Sequence, residues 1–274
     1  METPLFNHIS QGVVDAVLPR RRALRQLGMG AAGTALSTVG VLGFAQRALA
    51  QTGQSVTSVL NFALTLEYLE ESFYDQALDA SGLLPAGARA YVAQIQKHEL
   101  AHVNLLTAAI SGIPNSEDPV EFDDDDFDFT AGGALRPFSN YQEFLALAQG
   151  FEDTGVRAYK GQAANLIGND AVLETALRIH SVEARHASYV RRLRGQKGWI
   201  EGDGLQGLPP NLGFQAIYAG EAATTQGGVN VDNVSSVSTA AVQAAFDEPL
   251  TRQAVLEIAD PFVDGDIDGD GEED

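Results

Sequence analysis

The sequence predicts an all-α protein: a four-helix bundle with one long crossover and a C-terminal extension. Three observations carry this. Four segments repeat apolar residues at helical spacing. Turn residues interrupt the segments closely within each pair, whereas a long stretch rich in proline and aspartate separates the pairs. The two pairs also repeat the same polar residues at matching intervals.

The helical segments run over 55–80, 86–111, 138–167 and 170–195. Ser81-Gly82 and Pro85 end the first and open the second. Gly168-Asn169 separates the last two, with Asp170 as the expected N-cap. Such short loops make antiparallel neighbours. The stretch 112–137 holds Pro114, Pro119, Pro137 and the run Glu121-Phe122-Asp123-Asp124-Asp125-Asp126-Phe127-Asp128-Phe129. It is long enough to return the second pair alongside the first. Its alternating Phe and Asp suggest partial packing across the bundle. After Gly198 glycines and Pro209-Pro210 dominate, and two short helices are expected near 238–246 and 249–258. The Asp-rich tail from Asp264 reads as a solvated acidic segment. The chain thus divides into 1–50, 51–198 and 199–274.

Residues 1–50 read as an export signal. Pro19-Arg20-Arg21-Arg22-Ala23-Leu24-Arg25 is a basic cluster, Leu27 to Gln46 carries no charge, and Ala48-Leu49-Ala50 offers small residues for cleavage near Ala50. A membrane anchor is the poorer reading, because the uncharged stretch is only weakly apolar. Arg20-Arg21 with Leu24 and Arg25 resembles a twin-arginine signal, although Ala23 and Pro19 depart from the usual motif. The resemblance implies passage of the folded protein through the twin-arginine export machinery to the periplasm or the cell exterior.

Composition narrows the chemistry. There is no cysteine, so disulfides, thiolate metal sites and iron–sulfur clusters are excluded. The net charge is −20. Residues 1–50 hold five arginines and two acids, leaving 12 basic and 35 acidic residues beyond them. Such a surface disfavours nucleic acid and anionic lipid and attracts cations.

The informative residues are polar ones on apolar faces. The stripes read Leu60, Ala63, Leu64, Glu67, Tyr74; then Tyr91, Ile95, Glu99, His102, Leu106, Ile110; then Leu145, Ala148, Glu152, Val156, Tyr159; and Ile179, Glu183, His186, Val190. Each core stripe carries a carboxylate near its middle, and an unpaired buried carboxylate is costly. Two divalent cations would compensate all four. Glu67 precedes Glu99 by 32 residues and Glu152 precedes Glu183 by 31. Glu99-x-x-His102 and Glu183-x-x-His186 place a carboxylate and an imidazole on one helix face. His98 and His180 read as neighbours of the site or surface residues, Glu70 and Glu71 as a solvated face, and Tyr74 and Tyr159 as core residues with satisfied hydroxyls.

One Glu from each of two helices and Glu-x-x-His from each of the other two is the ligand pattern of di-iron and di-manganese bundles. On Glu67, Glu99, His102, Glu152, Glu183 and His186, over residues 55–195, the chain resembles the ferritin-like di-metal carboxylate superfamily. The runs Asn61–Glu70 and Phe246-Asp247-Glu248-Pro249-Leu250-Thr251 are similar to its exported, desiccation-related group. The resemblance implies two ions of iron or manganese and oxidoreductase chemistry on a small oxidant or metal-ion substrate: peroxidase, ferroxidase or manganese-catalase-like activity. It implies Glu67 and Glu152 as terminal ligands and Glu99 and Glu183 as bridging ones. The alternative is a protective or structural envelope protein whose metal only staples the bundle. Gly155, one turn after Glu152, suggests room beside the ions and so a reactive site. Self-association is left open.

Overall fold

The computed structural model describes residues 55–208, 214–233 and 236–264. The export segment, its cleavage site near Ala50 and the acidic tail beyond Asp264 lie outside them. Four long helices form the bundle: α1 (Val56–Asp79), α2 (Ala86–Ser111), α3 (Tyr141–Gln162) and α4 (Asp170–Leu193). α1 packs along α2 and α3 along α4, and α1 also meets α3. Among the described residues no helix is long and apolar enough to cross a membrane.

Local chemistry sets the helix ends. Ser55 caps α1 by accepting from the Ser58 amide at 3.0 Å. Asn140 caps α3 through the amides of Gln142 and Glu143. α3 therefore starts at residue 141 rather than 138. It tightens after Gln162 into a 3₁₀ turn, Ala163–Leu166. The cap of α4 is Asn169, whose side chain makes no capping bond. Asp170 instead lies in the first turn, where its charge opposes the positive end of the helix dipole. Tyr91 leaves the expected core stripe: it is 54% exposed and stacks on Tyr189 with ring centroids 4.5 Å apart.

The crossover packs as its Phe/Asp alternation suggests. Phe127 and Phe129 are buried. Phe129 stands against Phe73 at 5.1 Å, and Phe73 stacks on Phe144 at 5.2 Å. Asp123 caps a single 3₁₀ turn, Asp124–Asp126. The strand-like piece beyond it pairs with the distal end of the described chain, Asp128 N–H donating to Phe262 O at 3.1 Å and Asp264 N–H to Asp126 O at 2.8 Å.

The C-terminal extension holds a 3₁₀ helix (Phe214–Tyr218), a hairpin of β1 (Thr225–Gln226) and β2 (Val229–Asn230), and the short helices α5 (Thr239–Gln243) and α6 (Arg252–Ala259). The hairpin turns on Gly227-Gly228, both at positive φ. Among its described residues the extension shares its core with the bundle. Ile217, Tyr218, Val255 and Phe262 share one apolar cluster with Phe73, Phe144 and Phe151 of the bundle.

Helix α3 is consequently buried nearly all round. Its three glycines face three different neighbours. A Cβ at Gly150 would meet Ile217, one at Gly155 would meet Glu70 of α1, and one at Gly161 would lie 1.9 Å from the carbonyl oxygen of Leu250. Arg157, wholly buried, ties the extension down. Its Nη2 donates to Ala219 O at 2.7 Å, its Nη1 to Ile217 O, and its Nε lies 2.8 Å from Glu221 Oε1. Asp153 pairs with Arg191 through both carboxylate oxygens and accepts from Tyr218 Oη at 2.7 Å. These pairings answer for charges that would be very costly alone in the core.

Candidate metal centre

All six expected side chains converge at mid-bundle. Glu67, Glu99, Glu152 and Glu183 are at most 1% exposed, His102 7% and His186 5%. α1 supplies Glu67, α2 Glu99 and His102, α3 Glu152, and α4 Glu183 and His186. The three-residue spacing on α2 and α4 turns each Glu and His to the same face.

Three carboxylate oxygens surround one nitrogen of His102. Nδ1 lies 3.0 Å from Glu67 Oε2, 2.9 Å from Glu99 Oε2 and 3.1 Å from Glu183 Oε1. A ring N–H carries one proton and cannot satisfy three acceptors. His186 Nδ1 lies 2.9 Å from Glu99 Oε1, 3.4 Å from Glu152 Oε2 and 3.7 Å from Glu183 Oε2. Glu99 and Glu183 thus present one oxygen to each imidazole. The donor atoms form two overlapping groups, Glu67, Glu99, His102, Glu183 and Glu99, Glu152, Glu183, His186, each with its atoms within 4.8 Å of one another. Glu99 Oε1, Glu152 Oε2, both Glu183 oxygens and His186 Nδ1 are buried without a hydrogen-bond partner. Native interiors leave few such atoms, and cation ligation would account for them. Both groups are able to hold a metal ion.

The outer oxygens are fixed by tyrosines from the opposite helix pair. Tyr74 of α1 donates to Glu152 Oε1 at 2.5 Å, and Tyr159 of α3 donates to Glu67 Oε1. Each turns its carboxylate's other oxygen toward the centre. Both hydroxyls are satisfied, as the core reading requires, and each partner lies across the bundle.

Without a cation, protons balance the charge. Burial, then the negative charge of Glu183, pushes Glu67 up to about 8. Burial also raises Glu152 well above the carboxylate range. Burial would raise Glu183 too, but the imidazoles of His102 and His186 beside it override this and hold Glu183 at about 2. Burial would lower His102, but its bonds to Glu183, Glu67 and Glu99 push it up to about 12. His186 is raised in the same way, chiefly by Glu152. Two imidazolium protons therefore stand where ligand atoms converge.

The surrounding residues divide. Glu70 is not solvated: it is 3% exposed, and burial followed by the charges of Glu183 and Glu152 pushes it well above its ordinary range. Its Oε1 would lie 3.2 Å from a Cβ at Gly155. The room that Gly155 opens is therefore taken by this fifth carboxyl. Glu71 is held off the centre by Gln96 Nε2 at 2.7 Å. His98 stacks on His186 with centroids 5.1 Å apart, and His98 Nδ1 lies 2.8 Å from His186 Nε2. His180 turns away and sets Nδ1 3.0 Å from Val156 O.

A helical bundle with mid-core carboxylate and imidazole groups of this arrangement is of the ferritin-like class. Residues 55–196 match the family model of the ferritin-like domain, and the chain belongs to that family. No curated protein and no solved structure matches it.

Proposed function

We propose that this protein is an exported ferritin-like protein of the desiccation-related group. It holds two ions of iron or manganese and acts on peroxide, dioxygen or ferrous iron in protection against oxidative or drying stress. The observation that carries this reading is the sharing of Glu99 and Glu183 between two ligand groups. Two bridging carboxylates hold two cations side by side, and hard oxygen donors with one imidazole each suit iron or manganese.

Glu67 with His102, and Glu152 with His186, would each hold one ion, with Glu99 and Glu183 shared between them. Tyr74 and Tyr159 orient the terminal carboxylates. The apolar bundle around them excludes bulk water and strengthens each electrostatic contact. A pair of such ions, when bound, supplies two-electron chemistry toward peroxide or dioxygen. His98, hydrogen-bonded to His186 and in turn 2.8 Å from Gln94 Nε2, fixes the ring of His186. Arg20-Arg21 and Ala48-Leu49-Ala50 support export and cleavage near Ala50.

A second reading, a non-catalytic protective or structural envelope protein with a structural metal, draws on Glu70. That carboxyl fills the space beside Glu183 that Gly155 leaves. Elemental analysis of protein from its native compartment, paired with assays of peroxide consumption and ferrous oxidation, decides. Iron or manganese with turnover supports the first reading. Metal without turnover supports the second. Protein that neither carries nor takes up metal sinks both.

A further inference from the structure

One end of the bundle is not closed by its own side chains. A cavity of about 230 Å³ lies among all four long helices. Its space comes from alanines: Ala63 on α1, Ala109 on α2, Ala158 on α3, and Ala171 and Ala176 on α4 all line it. Among the described residues, none that is charged lines it. Two of its polar residues are engaged elsewhere. Thr175 Oγ1 donates to Ala171 O at 2.9 Å, and Gln162 Oε1 accepts from Asn165 Nδ2 at 2.8 Å. The third, Tyr159, presents its ring to the cavity and donates its hydroxyl to Glu67. Leu105, also on the lining, is 45% exposed, so the cavity reaches the surface beside α2.

We propose that this cavity binds a neutral, largely hydrocarbon small molecule, held with one end against Tyr159 and so one side chain from the metal centre. Apolar cavities of about 150 Å³ stay dry and take up benzene. This one is larger and equally poor in partners for water. A ring compound or a short aliphatic chain fits by size and polarity, and a charged ligand would find no counter-charge. As a binding site the cavity stands on its own lining. As a substrate site it rests on the metal-centre reading, because Tyr159 joins the two.

The test uses the full chain and N-phenyl-1-naphthylamine, a neutral apolar fluorophore that brightens when it leaves water. Saturable one-to-one binding is expected, displaced by a short alkane or toluene. Ala109→Phe places a ring at the partly exposed mouth and should weaken binding about tenfold or more. Ala176→Leu, deeper in the cavity, should do the same if the first variant perturbs folding. Melting temperature and metal content are read on the same samples and should be unchanged. Protein that binds the probe but no metal retains the site and loses its role as a substrate site. Absence of saturable binding, or undiminished binding in both folded variants, overturns the proposal. Photo-crosslinking from position 109 to residues 27–46 would assign the cavity to the chain's own amino-terminal segment. A dimer that dissociates on Ala109→Phe would assign it to a second copy. Either result also overturns it.

Discussion

Replacing Glu183 and Glu152 separately by glutamine should give unequal results in metal-free protein, although both are buried carboxylates of the same centre. Glu183 is held at about 2, against an ordinary value of 4.5, by His102 and His186. That gap corresponds to roughly 3 kcal/mol of stability at neutral pH. The folded-state value lies below the unfolded one, so the contribution is full above about pH 4.5 and is lost as pH falls through about 2. Glu183→Gln keeps the shape but removes the counter-charge of two imidazolium rings. With roughly 2–4 °C per kcal/mol for a domain of this size, metal-free melting should fall by roughly 6–12 °C. Burial raises Glu152 well above the carboxylate range, which favours its neutral form in metal-free protein. Its glutamine variant imitates that state and can still accept from Tyr74, so metal-free melting should be nearly unchanged. Both variants should bind less metal, Glu183→Gln more severely because it belongs to both ligand groups. Thermal melts in chelator, followed by metal titration, read both effects. Equal melting of the two metal-free variants, or two full metal equivalents on Glu183→Gln, would refute the charge assignment.

Metal loading at pH 7 should release protons held by His102, His186 and Glu67, because ligands must shed them to bind; an indicator dye reads this, and apparent affinity should rise as pH climbs through about 8, the value of Glu67. Release of less than about one proton would contradict the protonated centre. Gly161→Ala should destabilise by about 3 kcal/mol or more despite the roughly 1 kcal/mol that alanine gains in a helix, because its Cβ would lie 1.9 Å from the Leu250 carbonyl oxygen; unchanged melting would show that the extension yields easily. Mature protein should begin near Gln51, and replacing Arg20 and Arg21 together by lysine should trap the precursor inside; mass spectrometry of fractionated cells finding residue 1 or 2 at the terminus of soluble cytoplasmic protein would sink the export reading.

The bundle and the convergence of six side chains were legible because a carboxylate inside an apolar stripe breaks a strong local pattern. Glu67, Glu99, Glu152 and Glu183 each stand among Leu, Ile, Val or Ala at helical spacing. Glu70 was not legible in the same way, because Glu70-Glu71 reads as an ordinary solvated edge. A signal existed in the repeat: Glu70 follows Glu67 by three residues, and Gly155 follows Glu152 by three. A glycine at the position equivalent to a glutamate makes room for it. Tyr91 fitted the period of α2 but lies at the surface with its ring against Tyr189, so periodicity alone put it on the wrong side. The extension was obscure for another reason. Arg157 holds it mainly through backbone carbonyls of Ile217, Ala219 and Glu248, and such contacts leave no pattern in the partner's side chains.

The two helix pairs do not each build half of a centre. Glu183 of the second pair joins Glu67, Glu99 and His102 of the first, and Glu99 of the first joins Glu152, Glu183 and His186 of the second. The tyrosines cross in the same sense, Tyr74 to Glu152 and Tyr159 to Glu67. Either pair alone would leave buried carboxylates without orienting partners and each ligand group short of a member. The repeat is therefore interlocked at its most polar point, where misassembly would strand the most charge. It is also broken there. Glu70 and Gly155 occupy equivalent positions with opposite bulk, and α3 is wrapped by the extension through Arg157 and Asp153. The oxygens around His102 Nδ1 lie within 2.9–3.1 Å, and those around His186 Nδ1 spread from 2.9 to 3.7 Å. Two ligand groups of identical composition, three Glu and one His each, thus sit in unequal surroundings, with the extra carboxyl on one side of the repeat and the glycine on the other.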